Sequence, residues 1–361
     1  MLDLVFTNDW ELYGDGSGDY YQVQHNPTLS LLDFLASNNA GMTFFVEIGQ
    51  QITFKNSGIE KYQNIAADWE KILNQALENP LNDVQMHIHP QWFFAEFDGN
   101  YWKLPDDKWS IGKLPTEKAK ELISLGKSYI EEVLSPHNYK CEVFRAGAYY
   151  IEPSGHIINI LEELGFKADT SVTKGRKVST YYDFTDAESN IMPWNVADSS
   201  VKHKGNRKLK EFPIYSKKLN YSEALNKFLP KLANKFHYGI DVPQDELDWI
   251  KERDRVKDIR YPRANRPYKK AENKNLSWYL SKFMTNNYVQ LDYDYLPASV
   301  FVKFLEDILK KYPNQNLPIV SSGHIKDAHS NYNLEKIIKT INDNFKNQIN
   351  ITNFRNILSK Y

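Results

Sequence analysis

The sequence contains a single cysteine, Cys141, among its 361 residues. One thiol can form neither an internal disulfide nor a cysteine-rich zinc site, so both kinds of scaffold are excluded. No segment approaches the roughly 20 consecutive apolar residues of a membrane-spanning helix. The amino terminus turns acidic within ten residues and has no basic segment before it, unlike a signal peptide. We therefore expect a cytoplasmic protein without a transmembrane segment.

The sequence also lacks an excess of either charge, with 45 Lys and Arg against 46 Asp and Glu. A balanced chain of this kind is not typical of nucleic-acid-binding proteins, and we expect no nucleic-acid partner. Neither G-x-G-x-x-G nor a P-loop follows any predicted strand, so nucleotide binding by those motifs is not indicated. Two basic tracts, 202–210 and 251–274, are either solvated surfaces or contacts for a phosphate group.

What the sequence does contain is a 41% apolar composition arranged in alternating strands and helices. The predicted strands are 2–7, 42–49, 84–90, 141–147, 166–172, 288–297 and 317–324. The predicted helices are 29–41, 68–80, 116–135, 154–165, 298–312 and one near 333–346. This alternation predicts an α/β fold with a parallel sheet, either a barrel or an open doubly wound sheet.

The alternation stops between residues 217 and 290, a stretch that includes the second basic tract. It resumes afterwards and continues to the carboxyl terminus. We therefore predict one domain over residues 1–361, with residues 217–290 as an insertion or elaborated segment within it.

Polar side chains follow several of the predicted strands, where parallel α/β folds collect their functional residues. They are Asp9 and Glu11 after the first strand, His87 and His89 on the third, Arg145 on the fourth and His324 on the last. In a parallel sheet these strand ends lie at one edge. We therefore expect these residues to share one site.

The two histidines have the spacing of a metal-binding pair. Residues i and i+2 of a strand face the same side, roughly 7 Å apart, so His87 and His89 could both reach one ion. An isolated pair of this kind is also common without a metal. Two histidines with a carboxylate from a neighbouring strand, however, form a frequent catalytic zinc site.

Asp9 and Glu11 alternate in the same way and so face one side, either as a solvated loop start or as functional carboxylates. In the functional interpretation one carboxylate binds the metal and the other acts as a general base. His324 could supply the proton for the leaving group, because an unperturbed histidine has a pKa of about 6.5. Arg145 is either an ordinary salt-bridge partner or the group that keeps a catalytic carboxylate ionised.

These motifs together resemble the polysaccharide deacetylases of the NodB-homology superfamily (carbohydrate esterase family 4). The resemblance rests, in chain order, on D-W-E at 9–11, TFFVEIG at 43–49, HIHP at 87–90, FRAG at 144–147, GFKADTSV at 165–172 and the late GH at 323–324. It covers most of the chain outside the segment 217–290. It implies a distorted (β/α) barrel of about seven parallel strands, a divalent metal, usually Zn²⁺, and removal of an N-acyl group from a sugar.

The resemblance also implies roles for individual residues. Asp9 matches the catalytic base, Glu11 the metal-binding carboxylate and His87 the first metal histidine. Arg145 matches the arginine that orients the base, and His324 matches the general acid. The family places its second metal histidine four residues after the first, where this chain has Gln91, so His89 as a ligand rests on strand geometry alone.

Several residues near the strand ends are candidates for sugar binding. Aromatic rings pack well against the C–H faces of sugars. The candidates are Trp92, Tyr149 and Trp194, together with Asp169 in the motif that the family uses to line its cleft. For the aromatic residues the alternative is simple core packing, because 14% of the chain is aromatic.

The sequence thus predicts a metal-dependent hydrolase that removes an acetyl or formyl group from an amino sugar in surface-polysaccharide metabolism. Its substrate would be an N-acylated sugar, either free or linked to a nucleotide or a lipid. Two alternatives stay open. One is a glycoside hydrolase on a related barrel, which would use two carboxylates and leave the histidines without a role. The other is a catalytically decayed glycan-binding protein.

Overall fold

The computed structural model describes residues 1–178, 180–219, 240–260 and 288–361. The strands of this part of the chain are β1 (Leu2–Val5), β2 (Thr7–Trp10), β3 (Thr43–Glu47), β4 (Asp83–Ile88), β5 (Glu96–Phe97), β6 (Trp102–Lys103), β7 (Val143–Ala146), β8 (Ala168–Asp169), β9 (Lys177–Val178), β10 (Tyr182–Asp183), β11 (Trp194–Asn195), β12 (Lys210–Glu211), β13 (Ser216–Lys218), β14 (Tyr288–Gln290), β15 (Leu317–Val320) and β16 (Ile349–Thr352).

The α-helices of the same residues are α1 (Asn26–Ser37), α2 (Ile48–Asn56), α3 (Glu60–Ala76), α4 (Thr116–Val133), α5 (Gly155–Glu163), α6 (Gln244–Arg260), α7 (Ala298–Lys311), α8 (Tyr332–Asn344) and α9 (Phe354–Leu358). Several follow directly from the sequence pattern. Helix α7, for example, begins after Pro297, buries an apolar stripe that includes Phe301 and Phe304, and ends with two lysines that favour a helix carboxyl terminus.

Seven parallel strand segments close into a barrel. One sheet has the strand order β11-β12-β8-β7-β4-β3-β2, in which β11 pairs antiparallel at the edge and the pairing from β12 to β2 is parallel. Strand β1 precedes β2 by one residue and counts with it as one barrel strand, and it pairs in parallel with β15. The chain after β12 completes the ring: the amide of Ile214 donates to the Val172 carbonyl, and that of Tyr215 donates to the Val320 carbonyl, both at 2.9 Å. The distorted (β/α) barrel of about seven strands is therefore confirmed, and the open sheet is not the observed topology.

The structure differs from the predicted strand pattern in several places, among them β16, which pairs in parallel with β1 and was not predicted. The sixth barrel strand, β12 with its continuation to Tyr215, was not predicted, because its apolar residues stand among charged ones and form no continuous run. The predicted strand 288–297 is wrong as a long barrel strand. Only β14 is a strand there, and it pairs antiparallel with β13 beside the barrel.

The segment predicted as an insertion, 217–290, lies partly outside the described residues. Its two ends are adjacent, because Lys217 of β13 pairs with Val289 of β14. Helix α6 packs against α8, and Arg253 of α6 donates to the carbonyl oxygens of Asp294 and Tyr295. None of the helices in the described ranges combines the length and apolar character needed to cross a bilayer.

Strand register brings the predicted polar residues to one end of the barrel. Glu47 of β3 lies opposite His87 of β4, and His87 lies opposite Arg145 of β7. On the other side of β2, Asp9 forms an isolated parallel bridge with His324, which follows β15. The carboxyl ends of these strands therefore meet at one rim, as expected for a parallel barrel.

Candidate active site

Asp9 and Arg145 form a buried ion pair at the centre of the rim. The Nη1 atom of Arg145 donates to Asp9 Oδ1 at 2.6 Å and to Thr7 Oγ1 at 2.9 Å. The Nε atom of Arg145 donates to the Thr170 carbonyl at 3.2 Å. Burial alone would raise the pKa of Asp9, but the charge of Arg145, aided by the nearby histidines, outweighs it and lowers that pKa. Asp9 is thus held as a carboxylate, the form that a general base requires.

Glu11, His87 and His89 converge beside this pair. All three are buried, and one potential ligand atom from each lies within 4.8 Å of the others. The Glu11 Oε2 atom is 3.2 Å from His87 Nε2 and 2.6 Å from His89 Nε2. Two imidazole nitrogens and one carboxylate oxygen that point at one spot form the donor set of a three-ligand zinc site.

The hydrogen bonds around the histidines fit a metal ion. His87 Nδ1 lies 3.2 Å from the Arg145 carbonyl and can donate to it, which leaves the lone pair of Nε2 for an ion. The buried His89 Nε2 has no hydrogen-bond partner among the described residues despite its closeness to Glu11. Gln91 lies 3.2 Å from His89 Nδ1, and its own Oε1 lacks a described partner, so a 180° turn of the amide lets Nδ1 donate.

Lys326 binds the outer side of the Glu11 carboxylate. Its ammonium group donates to Oε1, so Oε2 is the oxygen that faces the two histidines. Burial would raise the pKa of Glu11, but the charges of Lys326 and His89 lower it well below its usual range. The lysine therefore fixes both the orientation and the ionised state of a candidate ligand.

The imidazole of His324 lies near Asp9 Oδ2, the carboxylate oxygen that does not bind Arg145. Its Nε2 is 3.6 Å from Asp9 Oδ2, and its Nδ1 is 3.8 Å from Asp292 Oδ2. The backbone amide of His324 donates to Asp294 Oδ2 at 2.7 Å. Gly323 makes this approach possible, because a Cβ there would lie 2.6 Å from the same Asp294 oxygen and 2.2 Å from Tyr293. The imidazole is 20% exposed, in contrast to the buried Asp9.

The turn after β7 is strained, and it supports His89. Ala148 and Tyr149 both have positive φ angles, 51° and 64°, which side chains with a Cβ rarely adopt. The preceding Gly147 lies flat against the imidazole of His89, since a Cβ there would be 2.6 Å from its Cγ. A glycine at position 147 is therefore required for the observed position of the ring.

An open cleft of about 760 Å³ begins at His324 and Lys326, a size suited to a small ligand. Tyrosine side chains and charged groups make up much of its wall. Among the lining residues are Tyr149, Tyr150, Arg176, Tyr182, Lys257, Tyr288, Gln290, Asp292 and Tyr295. Such a wall offers both aromatic faces and hydrogen-bonding groups.

Of the four predicted substrate-binding residues, only Tyr149 lines this cleft. Trp92 is buried against Phe54 and borders a separate cleft between α2 and α4. Trp194 is also buried and donates to the Val201 carbonyl at 2.9 Å. Asp169 is fully buried in the barrel wall and accepts a hydrogen bond from Ser171 Oγ at 2.8 Å. These three side chains pack or hydrogen-bond inside the fold.

The sequence analysis did not identify several residues that support the site. Lys326 follows His324 by two positions after the last predicted strand, so strand-end spacing could have revealed it. Asp292 and Asp294 lie inside the predicted strand 288–297, so no strand-end signal pointed to them. Glu47 gave no such signal. Its carboxylate accepts from the backbone amides of Gly49 and His89, both at 2.9 Å. Glu47 therefore caps the amino terminus of α2 and positions the backbone of His89, a candidate metal ligand.

No protein-family model matches this sequence, and no curated protein matches it. Among solved structures, a "putative polysaccharide deacetylase" from Mycobacterium smegmatis matches with 12% identity over 99% of this chain and 89% of that chain, at a TM-score of 0.47. The allantoinase PuuE matches with 8% identity over 99% and 89% of the two chains, at a TM-score of 0.48. A family 4 carbohydrate esterase from Streptomyces lividans matches with 16% identity over 46% of this chain and 61% of that one, at a TM-score of 0.29.

Similarity at this level does not assign an activity to the chain.

Proposed function

We propose that this protein is a metal-dependent hydrolase that removes an N-acyl group, acetyl or formyl, from an amino sugar. The observation that carries the proposal is that a candidate metal-binding cluster and a candidate general base lie side by side at one rim of the barrel. The cluster of Glu11, His87 and His89 has the donors of a zinc site, and Asp9 beside it is kept ionised by Arg145. Amide hydrolysis needs both an electrophilic centre and a base for water.

In this proposal Glu11, His87 and His89 hold Zn²⁺ or another divalent transition metal. The bound ion would supply Lewis-acid chemistry, polarising the acyl carbonyl and making water more acidic. Asp9 accepts the proton of the attacking water through the oxygen that Arg145 leaves free. His324, on the solvent side of Asp9, donates a proton to the nitrogen of the departing amine. Arg145 does not meet the substrate and instead keeps Asp9 ionised and oriented.

The proposed substrate is an N-acylated sugar of surface-polysaccharide metabolism, either free or linked to a nucleotide or a lipid. Support for a sugar comes from the tyrosine side chains of the cleft beside His324, which present apolar faces and hydroxyl groups together. The surface-polysaccharide context follows from the family resemblance of the motifs.

The test is a screen of N-acetylated and N-formylated amino sugars with the metal-loaded protein, measuring the released acetate or formate. We expect release from at least one sugar, and a loss of about 10²-fold or more in the Asp9→Asn variant. Release that persists undiminished in Asp9→Asn would overturn the proposed mechanism. No release from any acylated sugar would count against the proposed function.

A further inference from the structure

Three cationic side chains line the cleft beside His324, and they differ in their partners. Lys326 is paired with Glu11, and Lys257 is paired with Asp327. Among the described residues, no carboxylate lies within ion-pair distance of Arg176, the third cation. The cleft therefore contains one guanidinium whose charge the described part of the fold does not neutralise.

The contacts of Arg176 leave most of its donors free. Nη1 donates to Gln290 Oε1 at 2.5 Å, and the guanidinium lies 5.7 Å from the centre of the Tyr149 ring. A guanidinium has five N–H donors in a rigid fork that matches the two oxygens of a carboxylate or a phosphoryl group. Arg176 is half-buried, so an anion bound to it would be partly shielded from water.

The backbone around Arg176 holds it at the cleft. It stands at the start of the hairpin β9–β10, where the amide of Phe184 donates to the Arg176 carbonyl at 2.9 Å. The preceding Gly175 has a φ of +85° and packs so closely on Tyr288 that a Cβ would lie 2.0 Å from its ring. This packing brings the hairpin, and with it Arg176, against the cleft wall formed by β14.

A chain of side chains connects Arg176 to the proposed general acid. Gln290, which accepts from Arg176, donates to Tyr149 Oη at 2.9 Å and to Ser322 Oγ at 2.6 Å. The Ser322 hydroxyl donates to Asp292 Oδ2 at 3.1 Å, and that oxygen is 3.8 Å from His324 Nδ1. A ligand bound at Arg176 would therefore lie along the same wall as the reacting group.

From these contacts we infer that Arg176 is a specificity-determining residue, which binds an anionic oxygen group, carboxylate or phosphoryl, carried by the acylated sugar. The inference rests on the proposed function, which supplies the reaction. It adds that the sugar substrate is negatively charged. Arg176 lies outside both basic tracts of the sequence, and its role comes from its position in the cleft.

The test compares kcat/KM for three sugars with the metal-loaded enzyme: neutral N-acetylglucosamine, N-acetylglucosamine 1-phosphate and the carboxylate-bearing N-acetylmuramic acid. We expect the wild type to prefer one anionic sugar over the neutral one by about 10- to 100-fold, the range of a charge-assisted hydrogen bond. Whichever anionic sugar is preferred identifies the group as phosphoryl or carboxylate. In Arg176→Gln the preference should disappear, and Arg176→Lys should retain part of it.

The matched control is Lys177→Gln, which removes a positive charge from the adjacent residue. Lys177 is exposed and paired with Asp183, away from the cleft, so this variant should keep the wild-type preference. Equal preference in wild type and Arg176→Gln, or no preference in the wild type, would overturn the inference. If no sugar is hydrolysed, the proposed function fails.

In that case, calorimetric binding of N-acetylglucosamine 1-phosphate and N-acetylmuramic acid to wild type and Arg176→Gln tests the role of Arg176 separately. Weaker binding of one of them to the variant would support the inference, and equal binding would overturn it.

Discussion

Arg145 is the residue on which the candidate site depends most. Its guanidinium is fully buried, contacts Asp9 and Thr7, and lies 3.9 Å from the centre of the Phe45 ring. An ion pair in such a position stabilises the fold only while both partners are present, because either charge alone would be buried without compensation. The same arrangement that orients Asp9 is therefore also a point of fragility.

We predict that Arg145→Gln lowers the free energy of unfolding by about 3–5 kcal/mol, because it leaves the buried Asp9 carboxylate unpaired. Denaturant unfolding followed by circular dichroism measures the change. The control is Arg255→Gln, which removes an exposed guanidinium paired with Glu252 and should change stability little. Equal losses in the two variants would contradict the importance assigned to burial.

His324 is predicted to act in proton transfer without holding the fold or the ion. Replacing it by alanine should lower turnover by roughly 10²–10⁴-fold on the preferred sugar, with metal content and thermal stability close to wild type. His203→Ala, a histidine paired with Asp186 away from the cleft, should keep full turnover. Turnover above about a third of the wild-type value in His324→Ala would refute the role.

At the scale of elements, the turn after β7 determines where His89 can lie. We predict that Gly147→Ala lowers metal content, because the added methyl group would lie 2.6 Å from the imidazole and must displace it. Metal analysis of the purified variant measures the effect. Gly58→Ala is the control. Gly58, unlike Gly147, has a positive φ of +70°, so the change should reduce stability. No atom lies within 4 Å of the added Cβ, so metal content should be unchanged. Full metal content in Gly147→Ala would contradict this account.

Strands β8 and β12 place two carboxyl groups side by side in the barrel wall. Glu211 pairs in register with Asp169, both are buried, and burial together with the neighbouring Asp169 raises the pKa of Glu211 well above its usual range. The folded state therefore keeps a proton that the unfolded chain releases. Its stability must fall as pH rises above the ordinary pKa of a glutamate, roughly 4.3.

Glu211→Gln should reduce this pH dependence, because an amide occupies the same space and cannot ionise. Unfolding free energies at pH 5 and pH 8 provide the test: the loss on going to pH 8 should be smaller in the variant than in the wild type. The Glu211 Oε1 atom accepts from the Val172 amide at 3.0 Å, a contact that the glutamine carbonyl can keep. Identical losses in the two proteins would show that the pair does not titrate as described.

At the scale of the whole molecule, the sequence was most informative where chemistry and strand periodicity coincide. The strand ends with Asp9, His87, Arg145 and His324 were predicted to meet at one rim, and the structure brings them together. The barrel closure was not predictable in the same way. It depends on the stretch from β12 to Tyr215, whose pairing arises from backbone contacts with residues distant in sequence.

The aromatic candidates show a second limit of prediction from sequence. Trp92 and Trp194 stand near motif residues along the chain, but burial of a large ring depends on the tertiary packing around it. The tyrosines of the cleft come instead from several separate segments, among them β10 and β14. Proximity in sequence could not select them.

The measurement that tests the central claim most directly is the metal content of the purified protein and of His87→Ala. We predict about one divalent transition-metal ion per chain in the wild type, bound by Glu11, His87 and His89, and none retained in the variant. His137→Ala, an exposed histidine outside the site, should bind as the wild type does. Metal bound equally well by wild type and His87→Ala, or no metal bound by the wild type in the presence of excess Zn²⁺, would contradict the account.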